Sequence, residues 1–133
     1  MAVVSYLLDT DVLIDWLRGQ TWTELLIWSS SGRPYCSSVT RKELLSRPNL
    51  PYRERQSIER LLRHVRVLNV DSVIAAAASE LLLKYVAHPL LVNDALIAAT
   101  AWVKNLPLLT RNQKHYDFIT EIDLPDPLSF ELP

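Results

Sequence analysis

Val3-Val4-Ser5-Tyr6-Leu7-Leu8-Asp9 and Asn93-Asp94-Ala95-Leu96-Ile97-Ala98-Ala99-Thr100-Ala101-Trp102 decide how this chain is read. The first is an apolar, partly β-branched run, as expected of a parallel strand covered on both faces. The second is an apolar helical run that opens on an acid. A carboxylate just past a buried strand and another in the first turn of a buried helix can meet at one edge of a sheet, where open α/β proteins place their sites.

Working outward, the order of elements alternates. Thr10 or Asp11 caps a short helix from about Val12 to Leu17, ended by Gly19. Thr21 or Thr23 caps a second helix carrying Leu25, Leu26 and Trp28, and Pro34-Tyr35-Cys36-Ser37 reads as a second strand. A helix from about Val39 to Leu45 stops at the prolines Pro48 and Pro51. Another runs from about Tyr52 to His64, with Ile58, Leu61, Leu62 and Val65 as its apolar stripe. Val67-Leu68-Asn69-Val70 is a strand. Asp71 or Ser72 caps an alanine-rich helix to about Val86, the helix bearing Asp94 runs to Asn105, and Pro107-Leu108-Leu109-Thr110 is a buried strand. At most one further short strand lies around Thr120-Ile122. The pattern predicts an α/β fold: a central parallel sheet of four to five short strands flanked by helices on both sides.

The 133 residues make one domain, 1–133, able to bury roughly two-thirds of the unfolded surface. The composition, 49% hydrophobic and 22% charged, is that of a globular protein, and no apolar run approaches the ~20 residues of a membrane span. The Met-Ala-Val-Val start lacks a signal-peptide prefix, so a cytoplasmic location is expected. The single cysteine, Cys36, excludes an internal disulfide and a thiolate metal cage. The net charge of −1 hides an uneven distribution. From Arg41 to Arg66 there are eight basic residues against three acids, while the rest of the chain holds six against twelve. Such a stretch suits a phosphate backbone, or equally a solvated helix face with Arg55-Glu59 and Glu59-Arg63 as i,i+4 pairs.

Asp9 follows the first strand, and Thr110 to Asn112 follow a late one, so both reach the carboxyl edge of the sheet. Glu43, one turn into the helix after the second strand, can reach back to it. Asp94 is the polar end of a face shared with Ile97, Ala98 and Ala101. Each acid has an ordinary explanation as a cap, a dipole partner or a solvated residue. Together, three carboxylates from three elements would repel one another, which makes physical sense mainly if Mg²⁺ or Mn²⁺ neutralises them. His64, His88 and His115 have no metal-ligand spacing and are expected to be structural. Trp16 and Trp22 are the tryptophans most suited to meeting a partner.

Leu7-Leu8-Asp9-Thr10-Asp11-Val12-Leu13-Ile14, Ser38-Val39-Thr40-Arg41-Lys42-Glu43-Leu44-Leu45, Asp94-Ala95-Leu96-Ile97-Ala98-Ala99-Thr100-Ala101 and Leu109-Thr110-Arg111-Asn112 resemble the four signature blocks of PIN-domain nucleases. In length and block spacing the chain is most similar to the toxin members of VapBC-type toxin-antitoxin pairs. The resemblance implies a Mg²⁺- or Mn²⁺-dependent endoribonuclease. Its acids would be Asp9, Glu43 and Asp94, supported by Thr10, Ser38, Thr110 and Asn112. It also implies a homodimer and a small antitoxin laid over the active-site groove. Asp9 and Asp94 would be the direct metal ligands and Glu43 would orient the water or hold a second metal, leaving a 5′-phosphate and a 3′-hydroxyl. Asp11 stands where such proteins more often have Asn. Asn112 is expected to act through its amide or a bridging water, and whether His115 or Asp117 joins the site is open. Two other readings compete: a phosphatase of the haloacid dehalogenase type, suggested by Asp9-Thr10-Asp11, and a receiver-like signalling module. Leu13 and the absence of a later lysine followed by paired aspartates count against the first.

Overall fold

The structure, a computed structural model, describes residues 5–20 and 34–125. Val3 and Val4 of the expected first strand, the expected second helix with Trp22 and Trp28, and residues 126–133 lie outside the described residues. In chain order the elements are β1 (Leu7–Leu8), α1 (Thr10–Leu17), β2 (Tyr35–Ser37), α2 (Ser38–Leu45), α3 (Tyr52–Leu62), β3 (Arg66–Leu68), α4 (Ser72–Lys84), α5 (Val92–Lys104) and β4 (Leu108–Leu109). A 3-10 turn over Gln113–His115 follows.

The four strands form one parallel sheet in the order β3-β2-β1-β4. Alternation along a strand sends successive side chains to opposite faces. Leu7 and Leu108 accordingly join a core with Ile74, Ala78 and Leu81 of α4, Ala95 and Ala98 of α5, and Tyr116. Leu8 and Leu109 join the other, with Val12 and Leu13 of α1, Leu44 of α2, and Ile58 and Leu61 of α3. Both faces are therefore covered, which is why β1 and β4 carry no polar residue. Cys36 is wholly buried in the second core, and burial pushes its thiol up to about 12, so it packs as a small apolar residue.

Several boundaries differ from the sequence expectation. Asp9, not Thr10 or Asp11, is the N-cap of α1: its backbone is extended and Oδ1 accepts the Thr10 N–H. Helix α3 ends at Leu62 and α4 at Lys84, and residues 120–122 are turn rather than strand. Asp71 caps α4 as expected, accepting the Ile74 N–H at 2.9 Å. Asn105 ends α5 with φ 53°, a left-handed conformation that asparagine tolerates, and Leu106 N–H returns to the Ala101 carbonyl. Beyond β4 the chain folds back, and the Asp123 carbonyl accepts the Leu108 N–H at 2.9 Å.

On α4, Leu81 is fully buried and Leu83, two residues on, is 79% exposed. Leu81→Ala should therefore cost about 3 kcal/mol of unfolding free energy, and Leu83→Ala less than about 0.5 kcal/mol, in urea titrations. Equal losses would show that the helix face is assigned wrongly.

Candidate active site

Strand β1 has β2 on one side and β4 on the other: the sheet grows from β1 through β2 to β3, and the chain then crosses back over α4 and α5 to add β4 on the opposite side. A crevice opens where the carboxyl ends of β1 and β4 meet, the switch point of an open α/β sheet. The register Leu8↔Leu109 sets Asp9 beside Thr110, and the Asp9 N–H donates to the Leu109 carbonyl at 2.9 Å. Thr110, fully buried, donates its hydroxyl to Asp9 Oδ2 at 2.8 Å and accepts the Asn112 N–H at 3.0 Å. Because Thr110 Oγ1 receives one proton and has one to give, its direction is fixed towards the acids.

The next residues on α1 extend the site. Asp11 Oδ2 accepts the Arg111 N–H at 2.9 Å and lies 3.3 Å from Thr110 Oγ1. Thr10 Oγ1 lies 3.1 Å from Glu43 Oε1 and 3.0 Å from Thr40 Oγ1, within donating reach of both. Glu43 thus stands at the rim, on α2. Asp94, three residues into α5, accepts the hydroxyl of the buried Tyr116 at 3.2 Å, and His115 Nδ1 is 3.5 Å from its other oxygen.

These acids act on one another. Burial raises the Asp9 carboxyl, the Asp11 charge raises it further, the Thr110 and Thr10 donors oppose both, and Asp94 adds repulsion, leaving it pushed up to about 6. Burial also lifts Asp11, against the Arg111 N–H and charge. Glu43 is raised by burial and by Asp94, with Thr10 pulling the other way. Burial and the charges of Asp9 and Asp94 hold the Tyr116 phenol well above its usual range, so it remains a donor. Among the described residues, no three carboxylate, imidazole or thiolate groups are placed to hold a metal ion together. The donor set nonetheless fits a hard dication in kind, being all oxygen, negatively charged and mutually repelling.

The structure brings Asp9, Glu43, Asp94, Thr10 and Thr110 to one edge. Asn112 is exposed there, and its contribution is the backbone N–H given to Thr110. Ser38 is used elsewhere, its Oγ accepting the Val70 N–H, while Ser37 caps α2. Asp117 is exposed and its N–H returns to Gln113. His115, structural by default and left open as a member of the site, borders Asp94. Tyr116 is the residue that sequence reasoning did not place, and Asp11 and Arg111, though inside the quoted blocks, were given no part in the site. Asp11 was accounted for as a helix cap, and the other two are joined to the acids only by tertiary contact.

This arrangement of acids at the switch point of a short parallel sheet coincides with a match to the PIN domain over residues 6–119, and the chain belongs to that family. Among its relatives it is 34% identical over 125 residues to Ribonuclease VapC10 of Mycobacterium tuberculosis, covering 90% of this chain and 91% of the relative. It is 29% identical over 120 residues to Ribonuclease VapC1 of Methanocaldococcus jannaschii, covering 89% and 83%. A chain of a toxin-antitoxin complex from Klebsiella pneumoniae aligns over 92% of this chain and 97% of its own, at 27% identity and TM-score 0.77. A chain of the DNA-bound VapBC from Salmonella typhimurium gives TM-score 0.84 over 93% and 98%, and at 22% identity this is a likeness of fold alone. Membership of the PIN family displaces the phosphatase and receiver readings.

A carboxyl raised from 3.8 to about 6 contributes stability that is fully present below 3.8 and lost as pH rises through about 6. Asn at position 9 keeps the cap without the charge. Relative to Asp9→Asn, the metal-free wild type should therefore lose on the order of 3 kcal/mol between about pH 4 and pH 7, read from urea midpoints of both proteins. A difference that stays constant with pH would show that Asp9 is ionised without strain.

Proposed function

We propose that this chain is a metal-dependent endoribonuclease, acting in the cytoplasm and working as the toxin of a toxin-antitoxin pair. The observation that carries the reading is the convergence of Asp9, Glu43 and Asp94, from three elements, at the carboxyl edge of β1 and β4. Support comes from the relatives that bear the name Ribonuclease VapC. The charge distribution adds to it: the eight cations between Arg41 and Arg66 are all exposed, with ion pairs at Arg47–Glu54 and Arg55–Glu59.

In this reading Asp9 and Asp94 hold Mg²⁺ or Mn²⁺, and Glu43, with Thr10 hydrogen-bonded to it, orients the attacking water or helps hold a second ion. The ion, when bound, lowers the pKa of its water and neutralises charge building on the phosphoryl oxygens. The protein's own part is positional. Thr110 fixes the Asp9 carboxylate, Tyr116 fixes Asp94 with His115 lying 3.5 Å from its other oxygen, and Asn112 steadies Thr110 through its N–H. Water attacks phosphorus in line, and the leaving 3′-oxygen departs as a hydroxyl while the 5′-phosphate remains on the other fragment.

The partners follow from the same reading. A small antitoxin covers the acidic edge, as supported by the toxin-antitoxin complexes among the solved relatives. A homodimer gives cover to Val86, Leu91 and Val92, which are 61–82% exposed around the turn joining α4 to α5.

Asp9→Asn or Asp94→Asn should reduce Mg²⁺-dependent RNA cleavage ~100-fold or more while leaving a folded protein. Millimolar Mg²⁺ or Mn²⁺ should raise the melting temperature of wild type, and of Asp9→Asn much less. Wild type with neither cleavage nor a metal-induced shift would sink the assignment. Asp117→Asn should stay within a few-fold of wild-type cleavage, and so should Asn112→Ala, which keeps the backbone N–H given to Thr110; an Asp117→Asn protein as inactive as Asp9→Asn would make Asp117 a ligand.

A further inference from the structure

The segment after β4 grips α1 at three places, and only two of them belong to the carboxylate cluster. Thr110 donates to Asp9, and the Arg111 N–H donates to Asp11. The third is Arg111 Nε, which stands 2.5 Å from Oδ2 of Asp15, one turn further along α1. That contact is an ion pair off the line of a hydrogen bond, and Asp15 Oδ2 is otherwise buried without a partner. The two side chains differ sharply in their surroundings: Asp15 is 5% exposed and Arg111 is 51% exposed.

A guanidinium carries five N–H donors in a planar fork. The Nε edge of Arg111 is turned to Asp15, and among the described residues the four Nη donors have no protein partner. Stability does not call for this arrangement, since an apolar pair at the same place holds a fold as well as a buried ion pair does. RNA must bring its own negative charge up to Asp9, Asp11, Glu43 and Asp94. A cation fixed beside them offsets repulsion on the approaching backbone. Arg47, at the rim of the groove that Thr10 and Glu43 line, is already paired with Glu54, whereas Arg111 retains open donors next to Asp11.

We propose that Arg111 binds a backbone phosphate of the RNA substrate beside the carboxylate cluster, with Asp15 as the positioning residue that aims its guanidinium. This rests on the endoribonuclease reading. The fork suits two phosphate oxygens at once, so the site takes arginine in preference to lysine.

The test compares the native pair, Asp15→Asn, and Asp15→Asn/Arg111→Gln, the two variants leaving no buried carboxylate orphaned. All three carry Asp94→Asn to prevent cleavage and are titrated with Mg²⁺ present into a fluorescent single-stranded RNA of mixed sequence over a salt series. The arginine-free protein should bind several-fold more weakly than the native pair, with a plot of log Kd against log salt shallower by roughly 0.7, the value of one single-strand phosphate contact, and Asp15→Asn, its arginine present but unaimed, should keep the slope and bind with intermediate affinity. Replacing Gln with Lys at 111 should restore the slope but not the affinity. A merely structural role for Arg111 would leave the slopes equal and lower the melting temperature instead, and that result overturns the proposal. Wild type that cuts RNA alongside equal slopes overturns this inference alone; wild type that neither binds nor cuts RNA overturns the endoribonuclease reading as well.

Discussion

The Thr110 hydroxyl governs the polar end of this molecule. It is buried between the carboxyl ends of β1 and β4, accepts one N–H from Asn112, and so can only give its own proton outward, to Asp9 at 2.8 Å. That bond joins residues 101 positions apart, and it exists because the sheet register places Asp9 and Thr110 side by side. Without it a buried carboxylate would face Asp11 and Asp94 with only the Thr10 amide and the Tyr116 phenol as donors. The same segment supplies the Arg111 N–H to Asp11, so the chain after β4 is what allows acids to gather at the start of α1.

Gathering them works against folding, because burial and repulsion both favour the neutral forms. The opposing stabilisation comes from the two apolar layers. Leu7 and Leu108 belong to one and Leu8 and Leu109 to the other, with exposures of 0–1%, so two strands of two residues each anchor both cores. The polar residues begin immediately after, at Asp9 and Thr110. A strained polar edge is thus joined by single peptide bonds to the best-buried part of the fold, which holds the acids close while leaving them reachable.

Much of this was legible in the sequence because it depends on local pattern. Apolar runs without alternation identify strands covered on two faces, and Asp9 and Asp94 stand out as acids that interrupt such runs. Glu43 followed from its place one turn into a helix. Asp11 was obscured because an acid at a helix start already has a sufficient local reason, and its partner is Arg111, a hundred residues away. The part of His115 stayed open in the sequence for a related reason. The turn over Gln113–His115 is 3-10, in which residues three apart eclipse one another, and the backbone closes from His115 N–H to the Asn112 carbonyl. That compact turn delivers His115 and Tyr116 to Asp94, a contact that no periodicity in the sequence records.

The return of the chain after β4 has a consequence for the molecule in a crowded solution. β4 is the outermost strand on its side of the sheet, and its inward groups are spent on β1. The outward N–H of Leu108 is already taken by the Asp123 carbonyl. An edge strand with a free amide invites another chain to continue the sheet, and such additions seed insoluble assemblies. Here the protein's own backbone answers that amide, so a second copy of this chain meets one fewer open donor along the strand that leads into the acidic edge.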